Sequence, residues 1–172
     1  MIEVTWSGRG GQGAFTAARI LGAAWALRGE DWFALAFPSF GPERRGAPVR
    51  AFVKLDCKKI NNRSEIRKSD FAVYLDDTLF DESALPALKE GGKIIINTAR
   101  RYSDTRVIAV DAGRIAGGVL KKNIVNTAML GVLSAVCPDI GLDLIEKSIK
   151  QIMPERLAEG NIAVVRAAKG AV

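Results

Sequence analysis

The chain has 172 residues, 48% of them hydrophobic and 26% charged, with a formal net charge of +6 and no histidine. That length fits one domain, 1–172, able to bury a sizeable core, and no apolar run approaches the roughly 20 residues that cross a bilayer. The missing histidine removes the commonest general base and every Ser/His or Cys/His nucleophile pair, and Cys57 and Cys137 belong to no CxxC pair that would suggest zinc or a cluster.

No metal-binding residue is therefore predicted, and no residue is put forward as catalytic. The basic residues are scattered and no aromatic stripe accompanies them, so neither nucleic acid nor a membrane is an expected partner. Ile2-Glu3-Val4-Thr5-Trp6 has neither the basic start nor the apolar core of a signal peptide, and a cytoplasmic location is expected.

In chain order, residues 2–7 alternate as a strand does and run directly into the glycine loop Gly8-Arg9-Gly10-Gly11-Gln12-Gly13. From Ala14 to about Arg28, apolar residues recur every three to four positions, which predicts a helix ended by Gly29. A strand over 32–37 completes a βαβ unit whose two strands should run parallel in one sheet. Residues 38–48 hold too many prolines and glycines for a helix or strand and read as an ordered loop. Strand 49–55, a turn near 56–59 and a segment around Ile60 suggest an appended hairpin. Strand 71–75, a helix over about 82–90 closed by Gly91-Gly92, and strands 93–97 and 107–110 follow. Helices are expected over about 112–121, 124–136, 142–152 and 155–169, with Pro138 and Pro154 breaking them. The fold class read from this order is α/β: a Rossmann-like, mostly parallel sheet with an appended β-hairpin and a helical C-terminal third.

The loop matches GxGxxG in the strand-to-helix context that gives this weak pattern meaning. Glycines let an anion approach the backbone, and the free N–H groups of a first helical turn point at it along the positive end of the dipole. Gly8, Arg9, Gly10, Gly11, Gln12 and Gly13 are thus candidate ligand-binding residues, with Arg9 able to add a full positive charge. The alternative is a tight turn packing helix on strand with no ligand. A classical NAD site needs an acid at the end of the second strand, where this chain has Pro38-Ser39, so a dehydrogenase is only a runner-up.

The segment Gly41-Pro42-Glu43-Arg44-Arg45-Gly46-Ala47-Pro48 should leave the same sheet edge as the glycine loop. Arg44 and Arg45 are candidates to fork onto phosphate or carboxylate, or to pair with acids of a partner chain; a plain surface loop is the competing reading. Asn126-Thr127 open an apolar helix as a cap or as a ligand contact, and Asp76-Asp77 read as a turn or cap.

The glycine loop, the segment 41–52 and the helix start Ile124-Val125-Asn126-Thr127-Ala128-Met129-Leu130-Gly131 together resemble the gamma subunit of 2-oxoacid:ferredoxin oxidoreductases, over nearly the whole chain. The middle segment is the most specific, and it resembles the pyruvate, 2-oxoisovalerate and phenylglyoxylate branch. The resemblance implies a subunit, inactive alone, of a complex that oxidatively decarboxylates a 2-oxoacid, usually to an acyl-CoA. It implies thiamine diphosphate in alpha and beta subunits, [4Fe-4S] clusters in a ferredoxin-like delta subunit, and electrons leaving to ferredoxin or another acceptor. By the same analogy the glycine loop contacts the phosphates of coenzyme A. Fused relatives carry a lysine just after the loop, where this chain has Thr16-Ala17, leaving Arg9 or Arg19 to supply charge. A free-standing nucleotide-dependent oxidoreductase and a phosphate-ligand binding module are the alternatives.

Overall fold

The computed structural model describes residues 1–39, 45–121 and 124–172. Six strands, β1 (Ile2–Arg9), β2 (Phe33–Pro38), β3 (Pro48–Asp56), β4 (Ser69–Tyr74), β5 (Leu88–Asn97) and β6 (Val107–Val110), form one sheet in the order β2-β3-β1-β4-β5-β6. β1, β4, β5 and β6 pair in parallel, while β3 runs antiparallel to both β1 and β2.

Alternation along β1 divides the molecule. Val4 and Trp6 point to one face and are fully buried; Glu3, Thr5 and Ser7 belong to the other. The first face is covered by α1 (Ala14–Ala26), α3 (Asn126–Val136), α4 (Leu142–Ile152) and α5 (Glu155–Lys169), with α2 (Ala112–Leu120) packed at the side of α5. Alanines at 14, 17, 18 and 24 bring α1 close to the strands, and Leu21 and Trp25 fill the space beside them. α3 is buried along most of its length because it is wedged between the sheet and α5.

Among the described residues no α-helix covers the second face, over which the links after β3 and β4 run instead. Residues 57–68 are held there by Ile66, which is buried, and by Lys54, whose amine donates to the Asn62 carbonyl at 3.1 Å and lies 3.8 Å from Glu3. Two 3-10 turns, Asp77–Leu79 and Glu82–Ala87, bring Phe80 and Leu85 onto Ala72, Ile94 and Ile96, and Tyr102 joins them.

The α/β class, the mostly parallel sheet and the four C-terminal helices agree with expectation; three local details differ. β2 is parallel to β1 but not adjacent, because β3, antiparallel to both, lies between them. The hairpin is consequently β2–β3 and not one near Ile60, where the chain is coil. Residues 82–90 form a 3-10 turn and then strand: Pro86 has no N–H to continue a helix, and Gly91, at φ +74°, makes a bulge within β5.

Candidate functional site

β1 and β4 end side by side where the chain switches direction across the sheet: α1 carries the chain from β1 towards β2, and the next crossover leads from β4 to β5. Open α/β sheets bind ligands at such a switch point. The glycine loop occupies it. Gly11 (φ +97°) and Gly13 (φ +81°) adopt left-handed backbone that side-chain-bearing residues rarely take. Gly13 has a second constraint, since a Cβ there would sit 2.5 Å from Asn126 Nδ2. At Gly11 a Cβ would meet nothing within 4 Å, so the backbone is bare towards open space.

The loop and the first turn of α1 line a half-open cleft of about 450 Å³: Gly10, Gly11, Gly13, Ala14, Phe15 and Thr16 form one wall. Pro38, Ser39, Pro48, Val49 and Arg50, with Arg9, complete it. The N–H groups of the first turn have no partner within the helix, and together with the dipole they favour an anion there. α1 has no acidic residue in its first turn to oppose one.

Arg9 is engaged within the protein. Its Nε donates to Asp76 Oδ2 (3.1 Å), Nη1 to the Gly46 carbonyl (3.1 Å) and Nη2 to Thr78 Oγ1 (2.7 Å). Gln12 closes the loop on itself, accepting from the Arg9 N–H at 2.7 Å and donating to Asp76 at 3.2 Å. The Asp76 carboxyl, bonded first of all by Thr78 and then by Gln12 and Arg9, lies below the ordinary aspartate range. Asp76 also caps the first 3-10 turn, in line with the turn-or-cap reading. The glycine loop therefore owes its shape to a clasp centred on Asp76.

The expected proximity of the two loops holds. Gly10 N–H donates to the Ala47 carbonyl (2.8 Å), and Gly46 N–H donates to the Gly10 carbonyl (3.1 Å). Arg45 is exposed on this turn, next to the glycine loop. Arg44, with Gly41, Pro42 and Glu43, lies outside the described residues.

Asn126 is buried and reaches Gly13, its Nδ2 donating to the Gly13 carbonyl at 3.3 Å. The pair does not cap α3, as Val125 holds the cap position and there is no side-chain cap bond. Thr127 has no exposed surface, and its hydroxyl donates to Asn161 Oδ1 at 2.8 Å, joining α3 to α5. Arg19, offered as a substitute cation, is exposed on α1 and is absent from the lining of the cleft.

Sequence reasoning missed Ser39, Phe15 and Arg50 as cleft residues. Arg50 alternates with Phe52 and Lys54 along β3, a visible signal, but only the β1–β3 register, with Ser7 opposite Arg50, puts it beside the glycine loop.

The sequence profile of the pyruvate ferredoxin/flavodoxin oxidoreductase family matches residues 3–171. The chain belongs to that family. It is 42% identical over 164 residues to pyruvate synthase subunit PorC of Methanocaldococcus jannaschii, covering 94% of this chain and 91% of the relative. It is 40% identical over 178 residues to the pyruvate/ketoisovalerate oxidoreductases common subunit gamma of Pyrococcus furiosus, covering 98% and 95%. The crystal structure of pyruvate oxidoreductase subunit PORC from Thermotoga maritima superimposes with a TM-score of 0.84 at 31% identity, covering 99% of this chain and 96% of that one. Among the described residues, no group of three His, Cys, Asp or Glu could hold a metal ion, and no helix is long and apolar enough to cross a membrane.

Proposed function

We propose that this chain is the gamma-type subunit of an oxidoreductase complex acting on pyruvate or a related 2-oxoacid, and that its glycine-loop edge receives the phosphates of coenzyme A. In this reading thiamine diphosphate is held by alpha and beta subunits and supplies the carbon chemistry, while [4Fe-4S] clusters in a delta subunit carry electrons to ferredoxin or another acceptor. The gamma chain contributes binding and placement.

The observation that carries the ligand reading is the bare backbone at Gly11, facing a cleft shared with the first turn of α1. Phosphate suits that chemistry: many N–H donors, a positive helix end and no carboxylate among the described lining residues. Arg9 has its guanidinium tied to Asp76, Gly46 and Thr78, so its role is to hold the loop in its anion-ready shape. Gln12 and Asn126 do the same from either side, with Thr127 behind Asn126 anchoring α3. Arg45, exposed on the turn beside the glycine loop, supplies charge towards the partner subunits.

Calorimetry of coenzyme A on the purified complex tests this with two variants. Gly11→Val imposes a side chain where φ is +97°; Phe15→Glu places a carboxylate in the first turn of α1 at a side chain already 36% exposed, with no backbone strain. Each is expected to weaken binding roughly tenfold or more, about 1.4 kcal/mol. Unchanged affinity in both would sink the reading.

A further inference from the structure

A second cavity, of about 330 Å³, opens on the face of the sheet that the α-helices leave free. Strand alternation builds its floor. Thr5 and Ser7 of β1, Arg50 of β3, and Ala72 and Tyr74 of β4 share that face, and the ladders set Ser7 opposite Arg50 on one side and opposite Tyr74 on the other. Ile66 and Arg67 wall it from the 57–68 crossover, and Leu79, Ala84 and Ala87 from the 3-10 segments.

Its polar inventory is one-sided. Thr5 is 6% exposed, yet no side-chain hydrogen bond joins its hydroxyl, or those of Ser7 and Tyr74, to another described residue. Trp6 Nε1 is the one side-chain polar atom sealed from solvent without a partner among the described residues. These three hydroxyls, and that of Ser69, which also lines the cavity without a side-chain hydrogen bond to a described residue, therefore keep access to it. Arg50 and Arg67 both belong to its lining, and the Arg50 guanidinium is braced over the Phe52 ring at 5.2 Å. Burial raises the Tyr74 hydroxyl above its ordinary range against the pull of Arg50, which keeps it a neutral donor. No carboxylate is among the described lining residues.

Hydroxyl donors beside cationic side chains suit an oxyanion. Ile66, Ala72, Leu79, Ala84 and Ala87 give such an anion apolar walls, which a bare phosphate would not use. The volume falls within the range of small-molecule pockets, roughly 300–1,000 Å³. A single acidic side chain from a neighbouring subunit would leave much of it empty. We propose that this cavity binds a free short-chain organic carboxylate, its headgroup between Arg50, Arg67 and the Thr5, Ser7 and Tyr74 hydroxyls and its carbon body on the apolar wall. The site is independent of the glycine loop: of its polar groups only Arg50 lines both cavities.

The probe is butanoate, titrated into the isotopically labelled full chain and followed by amide chemical shifts, with butanamide and inorganic phosphate as controls. The expected result is saturable shifts confined to residues near 5–7, 66–67 and 72–74, with butanoate binding roughly tenfold or more tighter than either control. Tyr74→Phe and Arg67→Ala, which touch only this cavity, should each weaken butanoate about threefold or more while leaving the spectrum elsewhere intact. Absence of saturable local shifts, equal binding of butanamide or phosphate, or full affinity in both variants overturns the proposal. Saturation-transfer measurements on the assembled complex separate the two sources of carboxylate: retained butanoate binding supports a free ligand, and its loss on assembly means that a partner's side chain fills the pocket and the proposal fails.

Discussion

Asp76 shows how much of the glycine loop's behaviour is decided by one side chain remote in sequence. It gathers Arg9, Gln12 and Thr78, and its carboxyl is held below the usual aspartate value, chiefly by Thr78. A folded-state pKa below the unfolded one stabilises the protein above the unfolded value, and that contribution is lost as pH falls through the folded one. Asp76→Asn should therefore lower the melting temperature near neutral pH by a few degrees, for about 1 kcal/mol in a chain of this length. The gap to the wild type should narrow below about pH 4, near the ordinary aspartate pKa, and close only below the lowered folded-state value. Melts across pH check this, and a gap that stays constant into acid would show the effect to be packing and not charge. The loop itself was legible in the sequence because its signal is local, six residues between a strand and a helix. Asp76 as its clasp was not, since the partners lie 67 and 64 residues apart and meet only through the β1–β4 pairing.

Helix contacts give the sharpest contrast at the level of elements. α3 crosses α5 so closely that a Cβ at Gly131 would stand 2.2 Å from the Val165 carbonyl oxygen, a backbone atom that cannot rotate away. Gly160 of α5 meets only the end of the Leu120 side chain, at 2.5 Å, and that group can change rotamer. Gly131→Ala should thus destabilise the protein by about 3 kcal/mol through forced separation of the helices. Gly160→Ala should be neutral or stabilising, because Ala is favoured over Gly in a helix by about 1 kcal/mol. Denaturant titration of the two variants distinguishes them, and equal loss in both would refute the crossing geometry. The elements themselves were legible wherever periodicity was long: all four C-terminal helices lie within a few residues of expectation. Pairing was not, because the same alternation in β3 suits any neighbour. Only the observed ladders place it between β2 and β1. At 82–90 a helical spacing lost to Pro86 and to the Gly91 bulge.

At the scale of the molecule, the two faces of the sheet have different fates. One carries a continuous core under α1 and α3–α5; the other carries short crossovers, two arginines and a cavity. The family was legible from three separated words of sequence, which no periodicity argument would have assembled. The gamma-subunit reading predicts that the native protein purifies with larger chains and brown iron–sulfur absorbance, and that the chain produced alone is colourless and inactive. Purification from its own cells, followed by visible spectra and mass analysis, checks this. A colourless, partnerless monomer that turns over a 2-oxoacid would contradict it.

The two backbone hydrogen bonds linking Gly10 to the 46–47 turn have a mechanical consequence. They continue the β1–β3 ladder past its last residue pair, Arg9 and Pro48, and make the two loops a single strip. A push on the outer turn is then transmitted to the glycine loop as rigid displacement along that strip, without repacking the core. The lever arm is short, its fulcrum is the end of β1, and the Arg9 side chain, reaching the Gly46 carbonyl, braces it from the side.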